Sequence, residues 1–358
     1  MRVRTSSNGR RGAEVVIDGQ LRLVPGREPG PAPGYRIEPV RGGWDITSPD
    51  GARLLTAAGP GRSPDPPAGS RAYDAALLDL LDDPAQLGAL RRRRLLPGPD
   101  GGGTALVAAL YADHRISSAA ELRRRCGFWR AVSPADGDVL TAPARPPAGP
   151  PPGGGQPGRG TPAAGGPDPA PRGPHRTLIL GGARSGKSRE AERRLAAEPR
   201  VTYLAAGPFP DDAATGPDGP DAEWQQRIAA HQAARPRWWP TMETTDVAGA
   251  LRRLRGAVLI DGIGTWLTAA MTEAGAWAAG DRAAQAALAA RLDALVAAWR
   301  QAGARVVAVS DQVGAGIVPA TPAGRAFRDQ LGWLNQRLAA ESEETVLVAA
   351  GQVLSTQC

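Results

Sequence analysis

Gly181-Gly182-Ala183-Arg184-Ser185-Gly186-Lys187-Ser188 is a complete G-x-x-x-x-G-K-[ST] motif, and no other stretch constrains this 358-residue chain as tightly. The residues before it, Thr177-Leu178-Ile179-Leu180, are an apolar, β-prone run. Those after it, Arg189 to Ala197, are good helix formers without Gly or Pro. The motif therefore falls between a strand and a helix, where a P-loop has to be. Its glycines let backbone N–H groups turn inward around phosphate oxygens, and the helix N-terminus adds its positive end. Lys187 would reach β- and γ-phosphates as a point charge, and the Ser188 hydroxyl suits the shell of a Mg2+ ion. Lys187 is the sole lysine of the chain. A composition that uses arginine everywhere else keeps lysine where a compact ammonium is required.

The length suggests two domains. With 42% hydrophobic but only 4% aromatic residues, the cores must be built mainly from Ala, Val and Leu. Two cysteines, Cys126 and Cys358, lie far apart and outside any C-x-x-C. That excludes a disulfide scaffold or a cysteine zinc site and fits a reducing, cytoplasmic setting. No apolar run reaches the roughly 18–20 residues of a membrane span, and the N-terminus lacks an apolar signal region. Net charge is +7, but residues 1–175 hold 23 basic and 17 acidic side chains, whereas 176–358 hold 20 and 19. The excess is thus outside the P-loop region. Runs at Arg91–Arg94 and Arg123–Arg125 read as solvated helix faces, since no nucleic-acid module accompanies them.

Taken in order, Glu14–Ile17 and Leu21–Val24 flank Asp18-Gly19 as a hairpin. Strands follow around Tyr35–Ile37, Trp44–Ile46 and, past Asp50-Gly51, Ala52–Leu55. Tyr73–Leu95 has a helix-like leucine spacing broken near Pro84, and Thr104–Tyr111 is β-like. Ser118–Arg125 predicts an amphipathic helix, with a strand near Trp129–Val132. Residues 1–138 thus read as a small α/β module of unknown role, with a faint likeness to the distal half of a metallo-β-lactamase-like domain. The H-x-H-x-D-H signature of that family is absent and His114 is the lone histidine of this region, so the likeness implies a degenerate, non-catalytic remnant. Residues 139–175 are dominated by Pro and Gly and predict a disordered tether. In 176–358, apolar strand runs at Val201–Ala206, Ala257–Asp261, Arg305–Ser310 and Thr345–Ala350 alternate with helices at Ala222–Ala234, Asp281–Ala302 and Pro322–Glu341. That order predicts an α/β fold, a P-loop NTPase-like, doubly wound, mostly parallel sheet. Asp261, closing the run Ala257-Val258-Leu259-Ile260, has the Walker B pattern and is a second Mg2+ ligand candidate beside Ser188.

Two further constellations narrow the function. One is His231-x-x-x-Arg235-Pro236-x-x-Trp239-x-Thr241-x-Glu243, and the other is Ser310-Asp311-Gln312-Val313-Gly314-x-Gly316-Ile317-Val318-Pro319. With the P-loop, and in this order, they resemble the bifunctional adenosylcobinamide kinase/adenosylcobinamide-phosphate guanylyltransferase family of cobalamin biosynthesis, over residues 176 to about 352. The resemblance implies a kinase step on the aminopropanol hydroxyl of adenosylcobinamide with ATP or GTP. It then implies GMP transfer from GTP through a guanylylated histidine, giving adenosylcobinamide-GDP. His231 matches that histidine, with Lys187 and Asp261 as further catalytic residues. Residues 181–188, Arg235 and Glu243 would bind nucleotide. Imidazole suits the role because it is neutral near pH 7 and is both nucleophile and leaving group. Partners would be the corrinoid and nucleotides, with no nucleic acid and no membrane span, in a small homo-oligomer. The chain departs from the family at Gly262, usually cysteine, and at Asp311-Gln312, usually Asn-Glu.

Two other readings stay open on the residues alone. One is a plain P-loop kinase of a small metabolite, with His231 structural; the other is a nucleotide-dependent regulatory protein. Because 142–174 cannot bury enough surface to offset its ordering entropy, limited proteolysis is expected to cut there and release a stable C-terminal fragment. A chain that resists cleavage in this stretch would contradict the tether.

Overall fold

The computed structural model describes residues 1–7, 13–98, 105–110, 116, 118–142, 176–207, 236–278 and 280–355. The chain divides into two units, Met1–Arg172 and, in the second, Gly173–Ala196 with Arg200–Cys358. The tether region from 143 to 175 and the helix expected at Ala222–Ala234 lie outside the described residues.

In the first unit, β1 (Arg2–Ser7), β2 (Ala13–Ile17), β3 (Leu21–Leu23) and β9 (Val139–Thr141) form an antiparallel sheet of order β3-β2-β1-β9. Strand β9 carries this sheet into the stretch that composition assigned to the linker. Asp18 and Gly19, at φ 49° and 74°, make the tight β2–β3 turn, as D-G between β runs requires. A second sheet runs β4 (Arg36–Val40), β5 (Gly43–Thr47), β6 (Arg53–Ala57), β7 (Ala75–Leu78), β8 (Leu106–Ala109), antiparallel to β6 and parallel beyond it. Val3, Val15 and Ile17 of one sheet pack on Ile46, Leu54 and Leu77 of the other. The opposite face of the second sheet, with Leu55 and Leu78, is covered by α1 (Ala85–Arg92) and α2 (Ala119–Trp129).

Two expectations fail here. The leucine-spaced start of Tyr73–Leu95 is strand β7, because Ala75-Ala76-Leu77-Leu78 lies inside the sheet with both faces buried. A short, fully apolar run fits a central strand as well as a helix. The strand expected at Trp129–Val132 is instead the end of α2, capped by Arg130 in a left-handed conformation, and only Val132 bridges to Ala108.

Of the run Arg91–Arg94, Arg91 is taken into the fold while Arg92, Arg93 and Arg94 are exposed, as a solvated face requires. Arg91 is buried and donates to the Trp129 carbonyl at 2.9 Å, and Arg93 pairs with Asp65 at 2.8 Å. The acidic turn after β7 is likewise satisfied. Asp79 accepts the amides of Gly61 and Asp82, and Asp83 accepts the Ser63 hydroxyl and the Ala85 amide. Among the described residues, no group of three or more His, Cys, Asp or Glu side chains is arranged to hold a metal ion. Burial pushes the Cys126 thiol up to about 12, which leaves it protonated and inert. No helix among the described residues is long and apolar enough to cross a membrane.

The second unit is the predicted α/β sheet, in the order β12-β11-β13-β14-β10-β15-β16. Its strands are β10 (Arg176–Gly181), β11 (Val201–Ala205), β12 (Thr241–Glu243), β13 (Ala257–Asp261), β14 (Arg305–Asp311), β15 (Glu344–Ala349) and β16 (Gln352–Ser355). All neighbours are parallel except the last pair, β15 with β16. Alternate residues serve opposite faces. Ile179, Leu259, Val307 and Val348 pack under α3 (Lys187–Leu195). Leu178, Ile260, Val306 and Ala308 face α4 (Val247–Arg253), α5 (Ile263–Ala274), α6 (Arg282–Arg300) and α7 (Pro322–Ala340), with Trp266 and Trp299 buried among them.

Helix α3 is fastened to the sheet by charge as well as by leucines. Arg194, 1% exposed, pairs with Glu190 on its own helix at 3.0 Å and with Glu344 of β15 at 2.5 Å. Removing one member of a buried pair strands the other charge. Arg194→Ala is expected to lower the unfolding free energy by about 3–5 kcal/mol, read from urea denaturation; a loss under about 1 kcal/mol would place the pair in the weak surface class.

Candidate functional site

The chemistry-bearing residues gather at the carboxyl ends of the parallel strands. Strand β10 ends at Gly181, the chain loops through Gly182–Gly186, and α3 begins at Lys187. The loop has no slack. A Cβ on Gly181 would stand 2.4 Å from Ser185 Oγ and 2.7 Å from the Val348 carbonyl oxygen. Gly186, the residue before α3, holds φ 94°, a conformation that side chains with a Cβ rarely adopt. The Gly351 amide donates to the Ser185 carbonyl at 2.8 Å, tying the loop to the β15–β16 turn. Gly182, Ala183 and Arg184 are exposed on its crest, and Ser188 is half-buried in the first turn of α3.

Lys187 Nζ forms an ion pair with Asp311 Oδ1 at 2.9 Å and donates to the Gly182 carbonyl at 3.1 Å. The carboxylate beside the P-loop lysine is therefore Asp311. Strand order explains it. β14, which ends at Asp311, lies between β10 and β13, so Asp261 is two strands from the loop. Asp261 instead accepts a hydrogen bond from the Tyr203 hydroxyl of β11. Glu243 is exposed at the end of the edge strand β12. His231 and Arg235 fall in the connection from β11 to β12 and lie outside the described residues.

Both departures from the family pattern have structural surroundings. Gly262 precedes α5 at φ 102°, and a Cβ there would be 2.9 Å from Thr265 Oγ1. Glycine at 262 thus permits a turn that cysteine would strain. The Gln312 amide donates to the Gly181 carbonyl at 3.0 Å, so this residue ties β14 to the base of the loop through its backbone. The sequence did carry a signal for Asp311. It closes the run Val306-Val307-Ala308-Val309-Ser310 much as Asp261 closes its own, so the chain holds two Walker-B-like strands.

Sheet order, strand-end loop and lysine together define a P-loop nucleotide-binding fold of the α/β class. The profile described as "Cobinamide kinase / cobinamide phosphate guanyltransferase" matches residues 177–356. The chain is 35% identical over 186 residues to the bifunctional adenosylcobalamin biosynthesis protein CobU of Escherichia coli (strain K12), an alignment that covers 49% of this chain and 95% of that protein. It is 36% identical to CobU of Salmonella typhimurium over 191 residues and 36% identical to CobP of Pseudomonas aeruginosa over 183. These two cover 95% and 94% of those proteins and 49% of this chain. The chain belongs to the cobinamide kinase / cobinamide phosphate guanyltransferase family.

Gly262→Ala is expected to destabilise the second unit by about 1–3 kcal/mol, as a side chain forced into a positive-φ site does; chemical denaturation of purified variant and wild type measures it. An unchanged midpoint would mean that the turn before α5 relaxes at no cost.

Proposed function

We propose that this chain is an adenosylcobinamide kinase and adenosylcobinamide-phosphate guanylyltransferase. The observation that carries the reading is the coincidence of a complete, lysine-bearing P-loop at the strand ends with sequence identity that spans 95% of a bifunctional relative. The kinase half needs little beyond positioning and charge stabilisation. Backbone N–H groups of 182–186 and the α3 N-terminus would cradle the phosphates, with Lys187 reaching the β- and γ-phosphates of ATP or GTP. The acceptor would be the aminopropanol hydroxyl of the corrinoid. Ser188 and Asp311 at the loop, with Asp261 two strands away as a further candidate, are hard oxygen donors of the kind magnesium takes, and Mg2+ bound there would neutralise charge on the transferring phosphoryl group.

For the second half, a neutral His231 nitrogen would attack the α-phosphorus of GTP, forming an N–P bond and releasing pyrophosphate. A phosphate oxygen of adenosylcobinamide phosphate would then attack the same phosphorus, form the new pyrophosphate bond and return the free imidazole. Arg235, four residues beyond, would hold a phosphate oxygen, and Glu243 a part of the guanine nucleotide. The first unit, with its acidic turn satisfied by backbone amides, would be an accessory module. The protein would act on small molecules in the cytoplasm, as a homo-oligomer without nucleic acid.

His231→Ala is expected to abolish covalent labelling by α-labelled GTP and formation of adenosylcobinamide-GDP, while phosphorylation of adenosylcobinamide persists. The wild-type adduct should be acid-labile and base-stable. Labelling that survives in His231→Ala would assign the GMP to another nucleophile, and a wild type that never labels would leave a kinase alone.

A further inference from the structure

Lys187 is engaged on two sides. Its ammonium meets Asp311 Oδ1 at 2.9 Å and the Gly182 carbonyl at 3.1 Å, and its side chain is only 15% exposed. We propose that Asp311 makes nucleotide binding at this P-loop conditional on a divalent cation, by competing with the triphosphate for Lys187. The inference rests on nucleotide binding by the loop and is independent of guanylyl transfer.

Asp311 is built into its place. Its carbonyl accepts from Asn335 Nδ2 at 3.1 Å, and Asn335 Oδ1 in turn accepts the buried Ser310 hydroxyl at 2.6 Å. The next residue, Gln312, donates its amide to Gly181 at 3.0 Å. On the far side, Asp311 Oδ2 lies 2.8 Å from where a Cβ on Gly264 would stand, with Phe327 and Leu331 beside the same point. The backbone of Asp311 is therefore tied to the loop and to α7, and α5 closes on its carboxylate.

Charge then decides what this arrangement does. A triphosphate that takes Lys187 brings several negative charges to the neighbourhood of the Asp311 carboxylate, whose backbone is held beside the loop and whose side chain is 41% exposed. One ammonium cannot neutralise both, and like charges a few ångströms apart in a partly screened site repel strongly. A nucleotide carrying its own divalent cation removes that conflict, because the carboxylate then faces positive charge while the lysine passes to the phosphates. The conflict arises because this chain places a carboxylate, rather than a neutral side chain, at 311.

The test is titration of the full-length protein with a fluorescent ATP analogue, once with excess Mg2+ and once with a chelator, for wild type, Asp311→Asn and Asp261→Asn. Wild type is expected to bind the metal-free analogue far more weakly than the Mg2+ form. Asp311→Asn should shrink that ratio at least about fivefold, the low end of an ordinary coupling between two ligands, chiefly by tightening metal-free binding. Asp311→Ser, which also removes the charge, should do the same and serves if the asparagine variant melts early. Equal weakening of both forms, with the ratio kept, would reduce Asp311 to a structural residue and overturn the proposal. So would a ratio that collapses in Asp261→Asn and not in Asp311→Asn. A wild type that binds neither form would sink the nucleotide reading itself.

Discussion

Space at the end of β10 is the constraint on which the rest of the second unit depends. The Cβ of any residue but glycine at 181 would collide with both Ser185 and the backbone of β15. The phosphate-binding loop therefore exists only because the central strand, its own turn and the neighbouring strand approach to atomic contact. Gly351, in the turn that follows β15, completes the clamp through its bond to Ser185. Removing that hairpin would leave the loop with one wall.

Charge follows from the same packing. Because β14 pairs directly with β10, the carboxylate at the end of β14 meets Lys187, and the carboxylate at the end of β13 turns to Tyr203 on the other side. Two aspartates that close similar apolar runs thus have different partners. A small family of buried contacts keeps α3 in register with this edge, Arg194 joining Glu190 and Glu344 beneath the helix.

The first unit is organised on different terms. Two sheets face one another across an aliphatic core, and two short helices cover the outer face of the second sheet. Its polar centre is Asp45, which pairs with Arg53 and accepts the Tyr73 hydroxyl at 2.8 Å, with the Arg53 guanidinium 4.4 Å over the Tyr73 ring. Burial, together with that bond to Asp45, holds the Tyr73 phenol well above its ordinary range. These contacts join β5, β6 and the start of β7, so the buried charge is consumed in holding strands together.

Much of this was legible in the residues. The motif from Gly181 to Ser188, the five long apolar runs and the two long helices were readable because glycine, β-branched runs and helix formers act over a few neighbours. The short elements β12, β16, α4 and α5 were not, since they are stabilised by what they pack against rather than by their own pattern. The form of Ala75–Leu78 is hidden for the same reason: a fully apolar tetrad says it is buried, not in what form. His231 and Arg235 were found as a motif alone. What the sequence determined by itself was a P-loop between a strand and a helix, and Asp261 closing an apolar run as the Walker B candidate. Only the tertiary structure decided that Asp311, not Asp261, faces the lysine, because that depends on which strand pairs with β10, and β10 and β14 lie more than a hundred residues apart in the chain.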